Sequence, residues 1–231
     1  MLLFSLECSA AAASAAIYRD EKLLREEFLN VPQTHSVTLL PMAKSLLEHT
    51  GISPAQIDYY AVSRGPGSFT GLRIGIAAIK GLAFPDDTPC IGVSTPEAIA
   101  YGLLGFEGTV IPMMDARCGQ VYTALFQGKD GRLTRLSEDE ALPLSELKEK
   151  LKSCTGPLWL CGDGAHLGLA AWGEELPVRM APAHLCCQRA SAVGLAAMQH
   201  LGEAVSPAAL VPCYLRPANA MTLAERQKKA E

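Results

Sequence analysis

Residues 65–75 read GPGSFTGLRIG and stand between an apolar segment and a segment with helical spacing. Backbone amides at the start of such a helix could receive a phosphate group, so nucleotide chemistry is the first hypothesis. The Walker spacing is absent because Leu72 and Arg73 follow Gly71. The dinucleotide-binding spacing also fails, because Thr70 occupies the place of its third glycine. The segment therefore matches neither template for a nucleotide site.

Nucleophiles and metal ligands are present, but their spacing does not assemble a site. The histidines at positions 35, 49, 166, 184 and 200 include no pair four residues apart, and the eight cysteines include no C-x-x-C pair. Gly67-Ser68-Phe69 resembles the centre of a hydrolase nucleophile elbow but lacks the glycine two residues after the serine. The sequence therefore predicts no catalytic residue and no metal site.

The composition of the chain indicates where the protein is found in the cell and which kinds of partner it can bind. The chain is 49% hydrophobic and 19% charged with a net charge of -4, which argues against a protein that binds nucleic acid unaided. The N-terminal stretch lacks the basic residues of a signal peptide, and no apolar run reaches the roughly 18 residues of a membrane span. We therefore expect a cytoplasmic protein with free thiols and no membrane association. Arg64, Arg73 and Lys80 could form a local basic patch or could simply be solvated.

The elements that would position these residues follow from apolar periodicity. In the first half we predict three strands and then alternating helices and strands, at residues 2–6, 12–18, 22–28, 36–50, 57–63, 70–84, 89–93 and 95–104. The second half repeats this order with strands at 109–114, 120–127, 133–136 and 158–161 and helices at 144–152, 165–172 and 188–202. The repeat predicts an α/β fold of two related lobes, residues 1–105 and 106–231, each a mixed sheet flanked by helices. A charged tail, 224–229, ends the chain.

A stripe of small residues runs along the second predicted helix, through Gly71, Gly75, Ala78 and Gly81. Each interior glycine costs a helix about 1 kcal/mol relative to alanine, so the stripe indicates that something packs closely against it. The close neighbour could be the chain's own sheet or a second subunit. Spacing alone does not decide between the two.

Several ordered motifs carry a resemblance to a known family. The segment GPGSFTGLRIGIAAIKGLA is preceded by His35-Ser36 and Leu39-Leu40-Pro41 and followed by Asp115-Ala116-Arg117. Further matches are Gly119, Val121-Tyr122, Gly162-Asp163-Gly164-Ala165 and Tyr214-Leu215-Arg216. Together they resemble the TsaB (YeaZ) family from Met1 to about Arg216. The resemblance implies the actin-like ATPase (ASKHA/Hsp70-like) fold, with a cleft between the two lobes.

The resemblance implies a non-catalytic subunit of the machinery that places threonylcarbamoyl on N6 of adenosine 37 in tRNAs reading codons that begin with A. In that family the partner TsaD carries the transfer chemistry, TsaE supplies an ATPase, and TsaB pairs with TsaD through its first two helices. It implies no cofactor or metal of its own, leaves room for ATP or ADP at the complex interface, and implies tRNA binding through the complex. A homodimer is expected when the chain is alone.

The implied partner interface lies on the first two helices and comprises His35, Ser36, Leu39, Leu40, Ala43, Gly71, Leu72, Arg73, Gly75, Ile76, Ala78 and Ile79. A remnant nucleotide site would use Glu7, Asp115 and Gly119, although the cap of a hairpin is the favoured interpretation of Asp115. Glu7-Cys8 departs from the family's usual Asp-Thr, which weakens the case for independent nucleotide binding. The alternative function is a stand-alone ATPase or a glycoprotease-like peptidase that uses the interlobe cleft.

Overall fold

A computed structural model describes residues 1–216, and its first lobe is built on a five-stranded sheet in the order β3-β2-β1-β4-β5. The central strand β1 pairs antiparallel with β2, to which a short loop joins it, and parallel with β4, which follows two strands and a helix later. The strands are β1 Leu2–Glu7, β2 Ala13–Arg19, β3 Lys22–Leu29, β4 Tyr59–Gly65 and β5 Cys90–Ser94.

Two long helices, α1 His35–Thr50 and α2 Phe69–Ala83, cover one face of this sheet. α1 ends at Gly51, whose left-handed conformation lets its amide reach the last carbonyls of the helix. α2 begins at Ser68, whose hydroxyl accepts a hydrogen bond from the Gly71 amide at 3.2 Å. Each helix contributes an apolar stripe to one core, which includes Phe4, Leu6, Leu39, Leu46, Tyr60 and Ile79.

The opposite face of the first sheet is covered by α3 Thr95–Tyr101 and by α6 Ala190–Ala197, which returns from the second half of the chain. Gly194 and its alanine neighbours let α6 lie close to the sheet, and Val193 is fully buried there. Leu210 reaches the core on the α1 and α2 side. The division into residues 1–105 and 106–231 stays a prediction, although α6 places part of the second segment on the first sheet.

The second lobe contains a seven-stranded sheet in which β10-β7-β6-β11-β12 are consecutive neighbours, while β8 pairs with β6 and β9. Its core gathers Ile111, Met113, Leu147, Leu160 and Trp172. The strands are β6 Gly108–Asp115, β7 Gln120–Thr123, β8 Phe126–Lys129, β9 Arg132–Arg135, β10 Glu140–Pro143, β11 Leu158–Cys161 and β12 Val178–Met180, and the helices are α4 Leu144–Leu151 and α5 Ala165–Trp172.

Three details of the second half differ from the prediction. The single strand at 120–127 is two strands, because β7 pairs with the end of β6 and β8 with its start. Strands β10 and β12 were not predicted, since runs of four and three residues carry too little periodicity. The helix predicted at 188–202 is confined to α6, because Met198 and the residues after it leave the helical path.

The predicted fold class is confirmed: two lobes, each a mixed sheet flanked by helices. Glu97 of α3 ties the lobes together, because it accepts hydrogen bonds from Arg135 of β9 and from His200. Within residues 1–216, no helix has both the length and the apolar character that a bilayer crossing requires. The charged tail at 224–229 lies outside the described residues.

Candidate functional site

The glycine segment is an internal junction, since other parts of the backbone fill the space where its side chains would be. A Cβ atom on Gly65 would lie 2.1 Å from the carbonyl oxygen of Cys213, and one on Gly71 would lie 2.1 Å from that of Cys8. Gly65 also has φ +124°, which side-chain-bearing residues rarely adopt. The lack of side chains in this segment therefore lets the end of β1 and the C-terminal segment pack against the start of α2.

The close-packing demand on α2 is internal at two of its three glycines. A Cβ on Gly75 would lie 2.7 Å from Cys8 Sγ and 3.2 Å from Val62 Cγ2, both of them core atoms. Gly71 is equally enclosed, as described above. By contrast, no atom lies within 4 Å of a Cβ built on Gly81. Of the stripe, Gly81 alone has open space beside it.

The predicted partner interface divides into core and surface residues. Seven of its twelve positions are buried in the first lobe, and the interface as a whole stays a prediction. An eighth, Gly71, is buried against β1. These eight are Leu39, Ala43, Gly71, Leu72, Gly75, Ile76, Ala78 and Ile79. Ser36, Leu40 and Arg73 are exposed, and His35 is half-buried with Nε2 donating to the Ala10 carbonyl at 2.7 Å.

The outer surface of α1 and α2 carries an apolar groove of about 970 Å³, which we call the helix-pair groove. Leu40 and Leu82 come from the two helices, and the rest of the lining is Pro41, Ala43, Lys44, Leu47, Glu48, Gly51, Ile52, Ser53 and Pro54. Leu40 is 53% exposed, and Val37 and Phe84 on the same two segments are 64% and 72% exposed. A groove lined mainly by apolar side chains is typical of a binding surface. The sequence prediction missed Leu82, Val37 and Phe84.

A second concavity, of about 430 Å³, lies between the lobes and contains two carboxylates. Asp115 ends β6 and Asp163 follows its parallel neighbour β11, so both side chains line the cleft at the carboxyl ends of these strands. Asp163 Oδ1 accepts from Gln188 Nε2 at 2.8 Å. Although the Asp163 side chain reaches solvent, the enclosing cleft raises its pKa by desolvation, and the Asp115 charge adds to this. The sequence prediction did not place Asp163 in the cleft, because the order of the strands in the sheet cannot be read from the sequence.

The three predicted nucleotide-site residues are not brought together. Asp115 lines the cleft, but its Oδ1 accepts from the Arg117 amide at 2.7 Å and so caps the turn into β7. Gly119 lies in that turn with φ +70° and does not line the cleft. Glu7 is fully buried beside it, where its carboxylate accepts from the Ser9 amide and the Ser63 hydroxyl. Burial raises the pKa of Glu7, and these hydrogen bonds lower it by less.

The cleft offers little for hydrolytic chemistry. Ser9 and Ser68 line it, but no histidine does among the residues that the structure describes. The Ser9 hydroxyl is buried without a hydrogen-bond partner. Across residues 1–216, no three histidine, cysteine, aspartate or glutamate side chains are grouped as a metal ion would require. Among the described residues, the cleft lining therefore contains no serine–histidine pair of the kind that a peptidase triad uses.

Comparison with known proteins places this geometry in context. A family model described as TsaD, tRNA N6-adenosine threonylcarbamoyltransferase, matches residues 29–154, which include α1 and α2. The tRNA threonylcarbamoyladenosine biosynthesis protein TsaB of Bacillus subtilis (strain 168) is 31% identical over 220 residues, 95% of this chain and 96% of that protein. TsaB of Escherichia coli (strain K12) is 34% identical over 167 residues, 71% of this chain and 72% of that protein.

A solved structure gives the same result for the fold. The crystal structure of a Pseudomonas aeruginosa protein with similarity to peptidase YEAZ has a TM-score of 0.80 and 28% sequence identity. The match covers 93% of this chain and 99% of that protein. The likeness extends across both lobes, so it includes the interlobe cleft as well as the helix pair.

Proposed function

Because the chain belongs to the TsaB family of tRNA threonylcarbamoyladenosine biosynthesis proteins, we propose that it is a non-catalytic subunit that binds and activates TsaD. TsaD, and not this chain, would then transfer the threonylcarbamoyl group to N6 of adenosine 37 of tRNA. The observation that carries the proposal is the exposed helix-pair groove on α1 and α2. It lies within the segment that matches the TsaD family model.

The docking face follows from which side chains of the helix pair remain exposed. It consists of the helix-pair groove together with the exposed residues Ser36, Val37, Leu40, Gly81 and Phe84 of the two helices and the residue after α2. Since the chain resembles TsaD over both helices, the two proteins can present similar surfaces and pair through a pseudo-twofold contact. The same face would join two copies of this chain when TsaD is absent. The enclosed residues of α2 support the face by fixing the helix on its sheet.

The cleft supports a non-catalytic role. Asp115 Oδ1 is used in the turn before β7, and Glu7 is fully buried and does not line the cleft, so the two acids do not form a shared metal site. ATP or ADP would then bind at the boundary with TsaD, and TsaE would join the assembled pair. The tRNA would be reached through the complex, in the cytoplasm.

The first experiment tests docking. Leu40→Glu places a charge in the centre of the apolar face, so we expect at least a tenfold loss of heterodimer affinity for TsaD by analytical size-exclusion chromatography and titration. Leu136→Glu is the matched control, because Leu136 is also 53% exposed but lies in the second lobe. Wild-type affinity in the Leu40 variant would refute the docking face.

The second experiment tests the absence of catalysis. We expect the purified chain to transfer no threonylcarbamoyl to tRNA, and to raise the rate when it is added to TsaD and TsaE with ATP. The Leu40→Glu variant should lose this stimulation in proportion to its loss of binding. Transfer by the chain alone would overturn the proposal.

A further inference from the structure

A second surface lies where residues 211–216 cross the start of α2. Phe69 and Tyr214 stack there with ring centroids 4.4 Å apart, and the Arg73 guanidinium lies 3.9 Å from the Phe69 centroid. Arg73 Nε donates a hydrogen bond to the Tyr214 hydroxyl oxygen at 3.1 Å. Tyr214 is still 36% exposed. These contacts hold a cation and two aromatic rings at a fixed position on the surface.

Phe69 and Tyr214 line a small cavity of about 200 Å³, and two other arginines, Arg117 and Arg216, line it as well. Arg216 Nη1 donates to the Ala116 carbonyl at 2.8 Å, and its guanidinium lies 5.9 Å from the ring centroid of Tyr122. Arg117 is exposed in the turn between β6 and β7. We call this set the arginine-aromatic surface: Phe69, Arg73, Arg117, Tyr122, Tyr214 and Arg216.

Positive charge is concentrated on this surface although the whole chain carries a net charge of -4. No carboxylate lines the cavity, and within residues 1–216 none forms an ion pair with Arg73, Arg117 or Arg216. Arg135 and Arg189, by contrast, are both paired with acids. Asp115 and Asp163 line the adjoining interlobe cleft instead. A local cationic surface of this kind attracts a polyanion.

We propose that the arginine-aromatic surface contacts the tRNA substrate of the complex. The inference rests on the proposed function, which supplies the RNA. Its arginines bind phosphates, and the exposed Tyr214 ring receives an unstacked base, since proteins bind single-stranded RNA by this combination of cations and aromatic platforms. An acidic protein partner would use the same arginines but would not need the Tyr214 ring, and this difference decides the design of the test.

The test measures binding of an in vitro transcribed tRNA that reads codons beginning with A to the complex with TsaD, by fluorescence anisotropy. For the double variant Arg73→Ala with Arg117→Ala, we expect weaker binding and a log-log salt dependence shallower by about 1.5, since two phosphate contacts are lost. Tyr214→Ala should weaken binding about tenfold with little change in that slope. Tyr214→Phe keeps the ring and should retain the affinity.

Arg132→Ala is the matched control, because Arg132 is an exposed arginine of β9 away from this surface. Wild-type affinity and salt slope in the double variant would overturn the inference. So would variants that lose TsaD binding while tRNA binding is unchanged, because the surface would then be a protein interface. If the wild-type chain does not bind TsaD, the proposed function fails. In that case the tRNA affinities of the wild type and of the same variants are measured without TsaD. Equal affinities for the wild type and the variants would overturn this inference as well.

Discussion

At the scale of single residues, Glu7 shows how burial changes the behaviour of an acid. Its carboxylate is enclosed at the end of β1, and the hydrogen bonds from Ser9 and Ser63 do not restore the hydration that it lost. The pKa of Glu7 is therefore raised above its usual value of 4.5, with desolvation the largest cause. Because the folded state holds this proton more tightly than the unfolded state, the stability of the protein declines as pH rises from 4.5 to the folded pKa.

Glu7→Gln should remove this part of the pH dependence, because the amide has the shape of the acid but carries no ionisable proton. We expect the variant to be at least as stable as the wild type at pH values above the folded pKa of Glu7. Urea unfolding over a pH series measures this, with Glu146→Gln as a control on an exposed acid. Parallel pH profiles for the wild type and Glu7→Gln would contradict the prediction. Glu7→Ala is unsuitable, since it leaves the Ser9 amide and the Ser63 hydroxyl without an acceptor.

At the scale of elements, α2 uses its glycines for two different purposes. Gly71 and Gly75 let the helix lie directly on the end of β1, where Cys8 occupies the space that side chains would need. Gly81 is exposed on the same helix, and no atom lies within 4 Å of the position that its Cβ would occupy. One face of the helix therefore belongs to the core, and the other belongs to the proposed docking surface.

Gly75→Ala and Gly81→Ala should consequently change stability in opposite directions. The added methyl at position 75 would meet Cys8 Sγ at 2.7 Å, so we expect a loss of about 1–3 kcal/mol in the free energy of unfolding. At position 81 the methyl has room, and the higher helix propensity of alanine should add about 0.5–1 kcal/mol. Urea denaturation of the isolated chain measures both. If Gly75→Ala leaves the free energy of unfolding unchanged, the core around Cys8 rearranges to make room for the methyl group.

At the scale of the whole molecule, α6 fastens the C-terminal part of the chain to the first lobe. The Ala190 amide donates to Ser14 Oγ, and Ser5 Oγ donates to the Ala190 carbonyl, each at 2.7 Å. Arg189 pairs with Glu26 at 2.6 Å. Since α6 also buries its apolar face on the first sheet, the two lobes do not correspond to separable halves of the chain.

Gly194→Ala tests this arrangement, because a Cβ there would lie 2.7 Å from Cε2 of Tyr18 on β2. We expect a loss of about 1–3 kcal/mol in one cooperative transition, followed by fluorescence and circular dichroism together. Gly202→Ala is the control, since no atom lies within 4 Å of its added carbon. Two separate transitions, with the first lobe unaffected, would show that the halves fold independently.

The sequence by itself determined the positions of β1, α1 and α2 and the two-lobed architecture. Apolar periodicity reports which face of an element is buried, and that information is local. The family resemblance was likewise readable from ordered motifs around residues 65–75 and 115–122. These features needed no knowledge of which distant residues meet.

Only the tertiary structure showed which distant residue each of these residues contacts. The spacing of Gly75 and Gly81 is compatible with an internal or an external neighbour, and only the position of Cys8 separated the two glycines. Asp163 joined Asp115 because β11 lies beside β6, and α6 crossed to the first sheet because that sheet has a second apolar face. These outcomes depend on contacts between residues far apart in the chain, and a local pattern records how an element is buried without recording what buries it.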